Sequence, residues 1–162
     1  MANETLIPSP VGILKLVETD GIISGIHFTE QQEVAIFDTF INDVLKNCAI
    51  QLAEYFDGKR MDFTFPMQQV GTVFQQRVWQ QLTTIPFGKT ISYNRLAIQL
   101  GDAKCIRAAG TANGRNNIAI VVPCHRVIGS NGSLVGYAGG IWRKQWLLEH
   151  EARWAHGVQQ LF

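Results

Sequence analysis

With 162 residues, 46% of them hydrophobic and 10% aromatic, the chain has enough apolar material for one ordinary core or for two small packed lobes. No apolar run approaches the roughly 18 to 20 residues that cross a bilayer, and the opening MANETLIPSP lacks a basic region followed by an apolar one, so neither a membrane span nor an export signal is expected. The formal net charge of +1 hides an uneven distribution: residues 1–70 carry four Lys/Arg against ten Asp/Glu, and residues 71–162 carry ten against three.

The amino-terminal part reads as strands: residues 13–17 and 22–26 flank an Asp20-Gly21 turn, which predicts a hairpin. Val34, Phe37, Ile41, Val44, Leu45, Cys48, Leu52 and Phe56 then recur at helical spacing and stop at Gly58, a good left-handed residue after a helix. Residues 63–66 read as a last short strand, and residues 68–71 as a connector. The domain boundary is placed near residue 70, giving an amino-terminal α/β domain over 1–70 and a second domain over 71–162. The fold class is α+β: antiparallel strands in the first lobe, a mostly helical second lobe with a helix-turn-helix and a short active-site strand and hairpin.

In the second half, Thr72 to Gln75 has the pattern of a capping box, with Phe74, Val78 and Leu82 as the buried stripe and Ile85-Pro86 as the stop. Ser92 is placed to cap a short helix to Leu100, Gly101 makes a turn, and Asp102 caps a third helix that closes at Gly114. Two short helices joined through a glycine turn make a helix-turn-helix. Ile106, Ala109 and Gly110 are expected to share one face of the third helix and Lys104, Arg107 and Thr111 another. That second face is cationic, and the small Ala108 and Thr111 leave room for DNA to come close. The apolar run 118–122 predicts a buried strand that delivers Pro123-Cys124-His125-Arg126. Beyond it, residues 127–128 and 134–135 around Asn131-Gly132 predict a hairpin, and Trp142, Trp146 and His150 or Leu147 a final packed helix.

The three cysteines, Cys48, Cys105 and Cys124, are an odd number without metal-ligand spacing, which fits a reducing, cytoplasmic setting better than a disulfide framework; no metal is expected. Cys48 and Cys105 sit in helical patterns without a local base. Cys124 is followed directly by His125 and Arg126, and a cysteine needs such a base or positive field because little of it is ionised near neutral pH. In extended chain the two side chains would point to opposite faces, so a bridging water or a local turn must connect them. Glu151, placed beyond the last helix, is the candidate that orients His125.

Pro123-Cys124-His125-Arg126-Val127, followed by Gly136-Tyr137-Ala138-Gly139-Gly140, resembles the active-site signature of the O6-alkylguanine-DNA alkyltransferases. The similarity runs through Phe74-Gln75, Val78-Trp79, Ile85-Pro86, Gly88, Ser92-Tyr93, Arg107-Ala108, Ala112-Asn113-Gly114, Asn116 and Trp146-Leu147-Leu148, covering almost all of residues 71–151. The resemblance implies a stand-alone repair protein that needs no cofactor. It would transfer an alkyl group from O6-alkylguanine, and from O4-alkylthymine, in double-stranded DNA to Cys124, once per molecule. His125 would deprotonate Cys124 through water, with Glu151 holding His125. Tyr93 would donate to the departing guanine and crowd the phosphate, and Arg107 would fill the gap left by the flipped base. Asn116 would brace the turn before the active site, and Val127, Tyr137 and Ala138 would line the base pocket. Binding through the minor groove by a monomer, cooperative along DNA, belongs to the same expectation.

The chain departs from the family pattern at Ala103, where a proline is common, at Cys105-Ile106, where smaller residues are usual, and at Trp142, bulky for a pocket rim. Three other readings compete. A lesion sensor that flips without repairing would lack the acceptor cysteine, a cysteine hydrolase would leave the basic helix-turn-helix unexplained, and a transcriptional regulator would bind undamaged DNA by sequence.

Overall fold

The structure, a computed structural model, describes residues 2–32 and 42–157. It divides into two compact units, Met1–Gln69 with Asn117–Ala119 and Val70–Asn116 with Ile120–Phe162. The predicted helix positions Val34, Phe37 and Ile41 lie outside the described residues.

The first unit is built on three antiparallel strands in the order β1 (Ala2–Ile7), β2 (Leu14–Thr19), β3 (Ile22–Phe28). The predicted hairpin is β2 and β3, with Asp20 and Gly21 both at positive φ (53° and 82°), as a two-residue turn between twisted strands requires. The first strand went unread in the sequence. Along β2 the inward positions are Leu14, Leu16 and then Glu18, a buried carboxylate where the alternation calls for an apolar group. Glu18 is satisfied by the side chains of Asn3 and Asn42 and the Gly21 amide, which also hold its carboxyl below the usual range.

Asn42 also caps α1 (Asp43–Phe56), accepting from the Leu45 amide at 2.9 Å. That helix packs Leu45, Cys48 and Leu52 on β2 and β3 and ends at Gly58, whose φ is +77°. Residues 63–66 are not a strand. Their backbone is held instead by a side chain: buried Gln51 accepts from the Thr64 amide at 2.9 Å and donates to its hydroxyl at 2.7 Å. Single bridges of Ile23 to Met67 and of Ile26 to Ile118 extend the sheet edge.

The second unit carries α2 (Val73–Leu82), β4 (Ile91–Ser92), α3 (Tyr93–Gln99), α4 (Ile106–Gly114), β5 (Val127–Ile128) and α5 (Ile141–His156). Both halves of the Thr72/Gln75 capping box are made, Ser92 caps α3 by accepting from the Arg95 amide, and Asp102 caps a 3-10 turn, Ala103–Cys105, that leads into α4. Gly101, at φ +101°, makes the turn between α3 and α4. The Trp79 indole donates to the Ala112 carbonyl at 2.9 Å, tying α2 to α4.

Four expectations need correction. Residues 118–122 are not a strand but a single bridge and a tight turn in which Ile120 adopts φ +72°, a costly conformation for a β-branched residue. The turn at 129–133 closes, yet 134–135 does not pair with β5; β5 runs parallel to β4 instead. On α4 the buried stripe is Ala109, Ala112 and Asn113, while Ile106, on the same side but in the first turn of the helix, is 37% exposed. On α5 Leu147 and His150 are buried, but Trp142 is 54% exposed and lies against the Arg143 guanidinium.

Candidate active site

After the turn at 119–122 the chain makes a 3-10 turn over Cys124–Arg126, with the Cys124 amide donating to the Val122 carbonyl at 2.8 Å and the Arg126 amide to the Pro123 carbonyl at 3.0 Å. The coil breaks the alternation of extended chain. Cys124, His125 and Arg126 are therefore all buried, the cysteine 7% exposed.

Glu151 lies within α5, not beyond it, and its carboxylate meets both neighbours of Cys124. His125 Nε2 is 2.7 Å from Oε2; Arg126 donates from Nε to Oε1 at 2.8 Å and from Nη2 to Oε2 at 3.0 Å, a forked pair. The remaining Arg126 nitrogen donates to the Ile85 carbonyl at 2.7 Å. The cations and hydrogen bonds around Glu151 outweigh its burial and hold its carboxyl well below the ordinary carboxylate range. With Nε2 committed to a carboxylate, Nε2 carries the ring proton, and the buried Nδ1 keeps a lone pair and has no hydrogen-bond partner among the described residues. Burial lowers the His125 pKa, against the pull of Glu151, so the resting imidazole is neutral.

Around the sulfur, Asn116 Nδ2 donates to the Val122 carbonyl at 2.7 Å and reaches Cys124 Sγ at 3.3 Å, while Asn113 Nδ2 lies 3.4 Å from the Cys124 carbonyl. Burial pushes the Cys124 thiol up, and the Asn116 contact and the charge on Lys144 pull it down. Lys144 is fully buried, donates to the Val127 carbonyl at 2.6 Å and the Val135 carbonyl at 3.0 Å, and lies between two aromatic faces, 5.7 Å from the Tyr93 centroid and 6.0 Å from that of Tyr137. Burial lowers its pKa to about 8. The Tyr93 hydroxyl donates to the Val135 carbonyl at 3.2 Å; both tyrosines are raised by burial and by the charge on Cys124, Tyr137 the further. Val127 is buried on β5, and Ala138 is exposed in a turn whose Gly139 carbonyl accepts from Arg143 at 3.0 Å.

The structure thus gathers Cys124, His125, Glu151, Asn116, Tyr93, Val127 and Tyr137 into one unit. Arg107, Ala108 and Thr111 stand on the exposed face of α4, whose inner face supplies Asn113 and sets Gly110 beside the Tyr93 ring. Sequence reasoning missed Lys144 and Asn113. The signal was available: Lys144, Leu147, Leu148 and Glu151 fall at i, i+3, i+4 and i+7, so an amphipathic reading of α5 places two opposite charges on its buried stripe. Among the described residues, no cluster of three His, Cys, Asp or Glu side chains could hold a metal ion, and no helix is long and apolar enough to cross a membrane.

Comparison with known proteins gives two family models side by side: "6-O-methylguanine DNA methyltransferase, ribonuclease-like domain" over residues 3–69 and "6-O-methylguanine DNA methyltransferase, DNA binding domain" over residues 73–153. A methylated-DNA–protein-cysteine methyltransferase of Mycolicibacterium paratuberculosis is 40% identical, the alignment covering 100% of this chain and 99% of the relative. One from Mycobacterium tuberculosis is 42% identical over the same shares. Among solved structures, Mycobacterium tuberculosis OGT in complex with DNA superposes with a TM-score of 0.84 at 42% identity, covering 93% of each chain.

Proposed function

From the premise that this chain belongs to the 6-O-methylguanine DNA methyltransferase family, we propose that it repairs alkylated DNA by moving the alkyl group from O6 of guanine to Cys124 and is consumed in the act. The observation that carries the reading is a buried cysteine whose neighbouring imidazole is oriented by a buried carboxylate and whose sulfur is met by the Asn116 amide.

The chemistry follows from those groups. The thiol proton passes through water to His125 Nδ1, and the imidazolium that forms is stabilised by Glu151. Sγ attacks the alkyl carbon in line, an S–C bond forms, the C–O6 bond breaks, and its electron pair stays on the guanine. Tyr93 donates a hydrogen bond to the departing base, which offsets that charge. The product is a thioether, with no leaving group for a second displacement, so one molecule repairs one lesion. A stacked base offers no approach in line, hence the nucleotide must be flipped, at a few kcal/mol. Arg107 takes its place in the stack, with Ala108 and Thr111 letting α4 approach through the minor groove, and Asn116 braces the turn that presents the sulfur. Val127, Tyr137 and Ala138 form the wall of the base pocket. O4-alkylthymine fits the same chemistry, because it presents an alkyl carbon on a similar leaving oxygen.

Residues 71–162 carry DNA binding and transfer in this reading, and residues 1–70 support them. The protein acts as a monomer, cooperatively along double-stranded DNA, in the cytoplasm, where its three free cysteines stay reduced. Intact-protein mass spectrometry after incubation with an O6-methylguanine oligonucleotide tests the core claim. One methyl group in place of the thiol hydrogen, a mass gain of one methylene, is expected on Cys124 in proportion to the lesion, and Cys124→Ala should bind the same DNA and remove no methyl. A variant without the sulfur that still repairs would refute the acceptor assignment.

A further inference from the structure

The Glu151 carboxylate is held by more than the active-site turn. The loop between α2 and β4 lies along the last turns of α5: the Ile85 carbonyl accepts from Arg126 at 2.7 Å, and the Phe87 ring sits 5.8 Å from the same guanidinium. The Gly88 amide points at Glu151 Oε1 at 3.4 Å, and the Gly88 carbonyl accepts from His156 Nε2 at 3.0 Å. Gly88 has φ +80°, and a Cβ there would come within 2.5 Å of the Ala155 Cβ and 3.2 Å of His156 Nε2. Both the conformation and the closeness therefore demand glycine. One residue thus bridges two residues of α5, the carboxylate at 151 through its N–H and the imidazole at 156 through its carbonyl.

A Glu side chain turns easily about its last torsion. Here Oε2 takes His125 while Oε1 takes Arg126 and faces the Gly88 amide, so rotation of the carboxylate that would carry Oε2 away from His125 also breaks the contacts on Oε1. The forked pair with Arg126, itself tied to the Ile85 carbonyl, holds the carboxylate through a side chain, and the Gly88 amide adds a backbone donor on Oε1.

We propose that His156 is a positioning residue for alkyl transfer: through the Gly88 carbonyl it holds Gly88 against α5, and the N–H of that residue helps to fix the plane in which Glu151 meets His125. The inference rests on the reading of Cys124, His125 and Glu151 as the acceptor machinery. His156 itself is exposed, so its hydrogen bond adds little to stability, and its effect on the chemistry can be separated from any effect on folding.

The test compares the full-length protein with His156→Ala and His156→Gln, in which the Gln amide keeps an N–H donor at similar reach. Single-turnover methyl transfer from an O6-methylguanine duplex is measured together with the pH dependence of Cys124 modification by iodoacetamide, followed by peptide mass. In His156→Ala, transfer at neutral pH should slow by about tenfold, and the inflection for Cys124 ionisation should move to higher pH because a loosened His125 is the poorer proton acceptor. Affinity for the duplex should stay as it was, and His156→Gln should recover both rate and inflection. If the unmodified protein fails to take up the methyl group, the acceptor reading falls. If it does take up the methyl group, the positioning role is wrong should His156→Ala match it, lose rate without moving the inflection, or stay unrescued by Gln.

Discussion

Three charged side chains with less than a tenth of their surface exposed, Arg126, Lys144 and Glu151, surround a neutral thiol and a neutral imidazole, and this arrangement sets the resting state of the site. Burial by itself favours the uncharged forms of Cys124 and His125, so the thiolate and imidazolium pair must be stabilised by fixed neighbours of opposite sign. In the proposed transfer Glu151 serves the imidazolium and Lys144 the thiolate. With a pKa of about 8, Lys144 keeps its charge at neutral pH and loses it in the folded protein at a lower pH than a free lysine would. Lys144→Met is therefore expected to shift the pH inflection of Cys124 reactivity upward and to slow transfer at pH 7, while Lys144→Arg retains part of both. An unchanged inflection in Lys144→Met would show that the ammonium serves only the Val127 and Val135 carbonyls.

The decisive element is the segment between α4 and β5. Its residues are apolar and β-branched, and taken alone they favour a strand. The strand does not form because Asn116 takes the Val122 carbonyl, the Cys124 amide turns back on the same carbonyl, and Ile120 is driven to positive φ. The turn so produced carries Cys124, His125 and Arg126 into the interior together. Asn116→Ala should remove one of the two donors on the Val122 carbonyl, lowering stability by about 0.5–1.5 kcal/mol in urea unfolding. It should also raise the Cys124 pKa, since the Asn116 contact is one of the influences that lower it. Loss of stability with the thiol unchanged would mean that Asn116 braces the backbone alone.

At the scale of the whole molecule, acid is the expected weakness. The folded pKa of Glu151 lies well below the value of about 4.3 that it takes when unfolded. Its contribution to stability is thus complete above the unfolded value and is lost progressively as pH falls toward the folded one. Glu18, lowered by its amide partners, acts in the same direction. The urea midpoint should fall from pH 6 to pH 3, and Glu151→Gln should flatten that dependence. At pH 7 the same variant should cost about 3–5 kcal/mol, because it leaves Arg126 buried without its counter-charge. A Glu151→Gln protein with the acid sensitivity of the original would contradict the assignment.

The sequence by itself determined α2 and α3 with their caps, the Asp20-Gly21 hairpin and the cysteine, because capping, turn chemistry and periodicity act over a few residues and are written in them. It also carried the family signature. The burial of Lys144, the exposure of Ile106 at the start of α4, the turn at Ile120 and the docking of Gly88 on α5 were decided by the tertiary structure alone. Each depends on a partner far along the chain, and no local preference of the residues involved specifies which distant donor, acceptor or charge will be brought beside them.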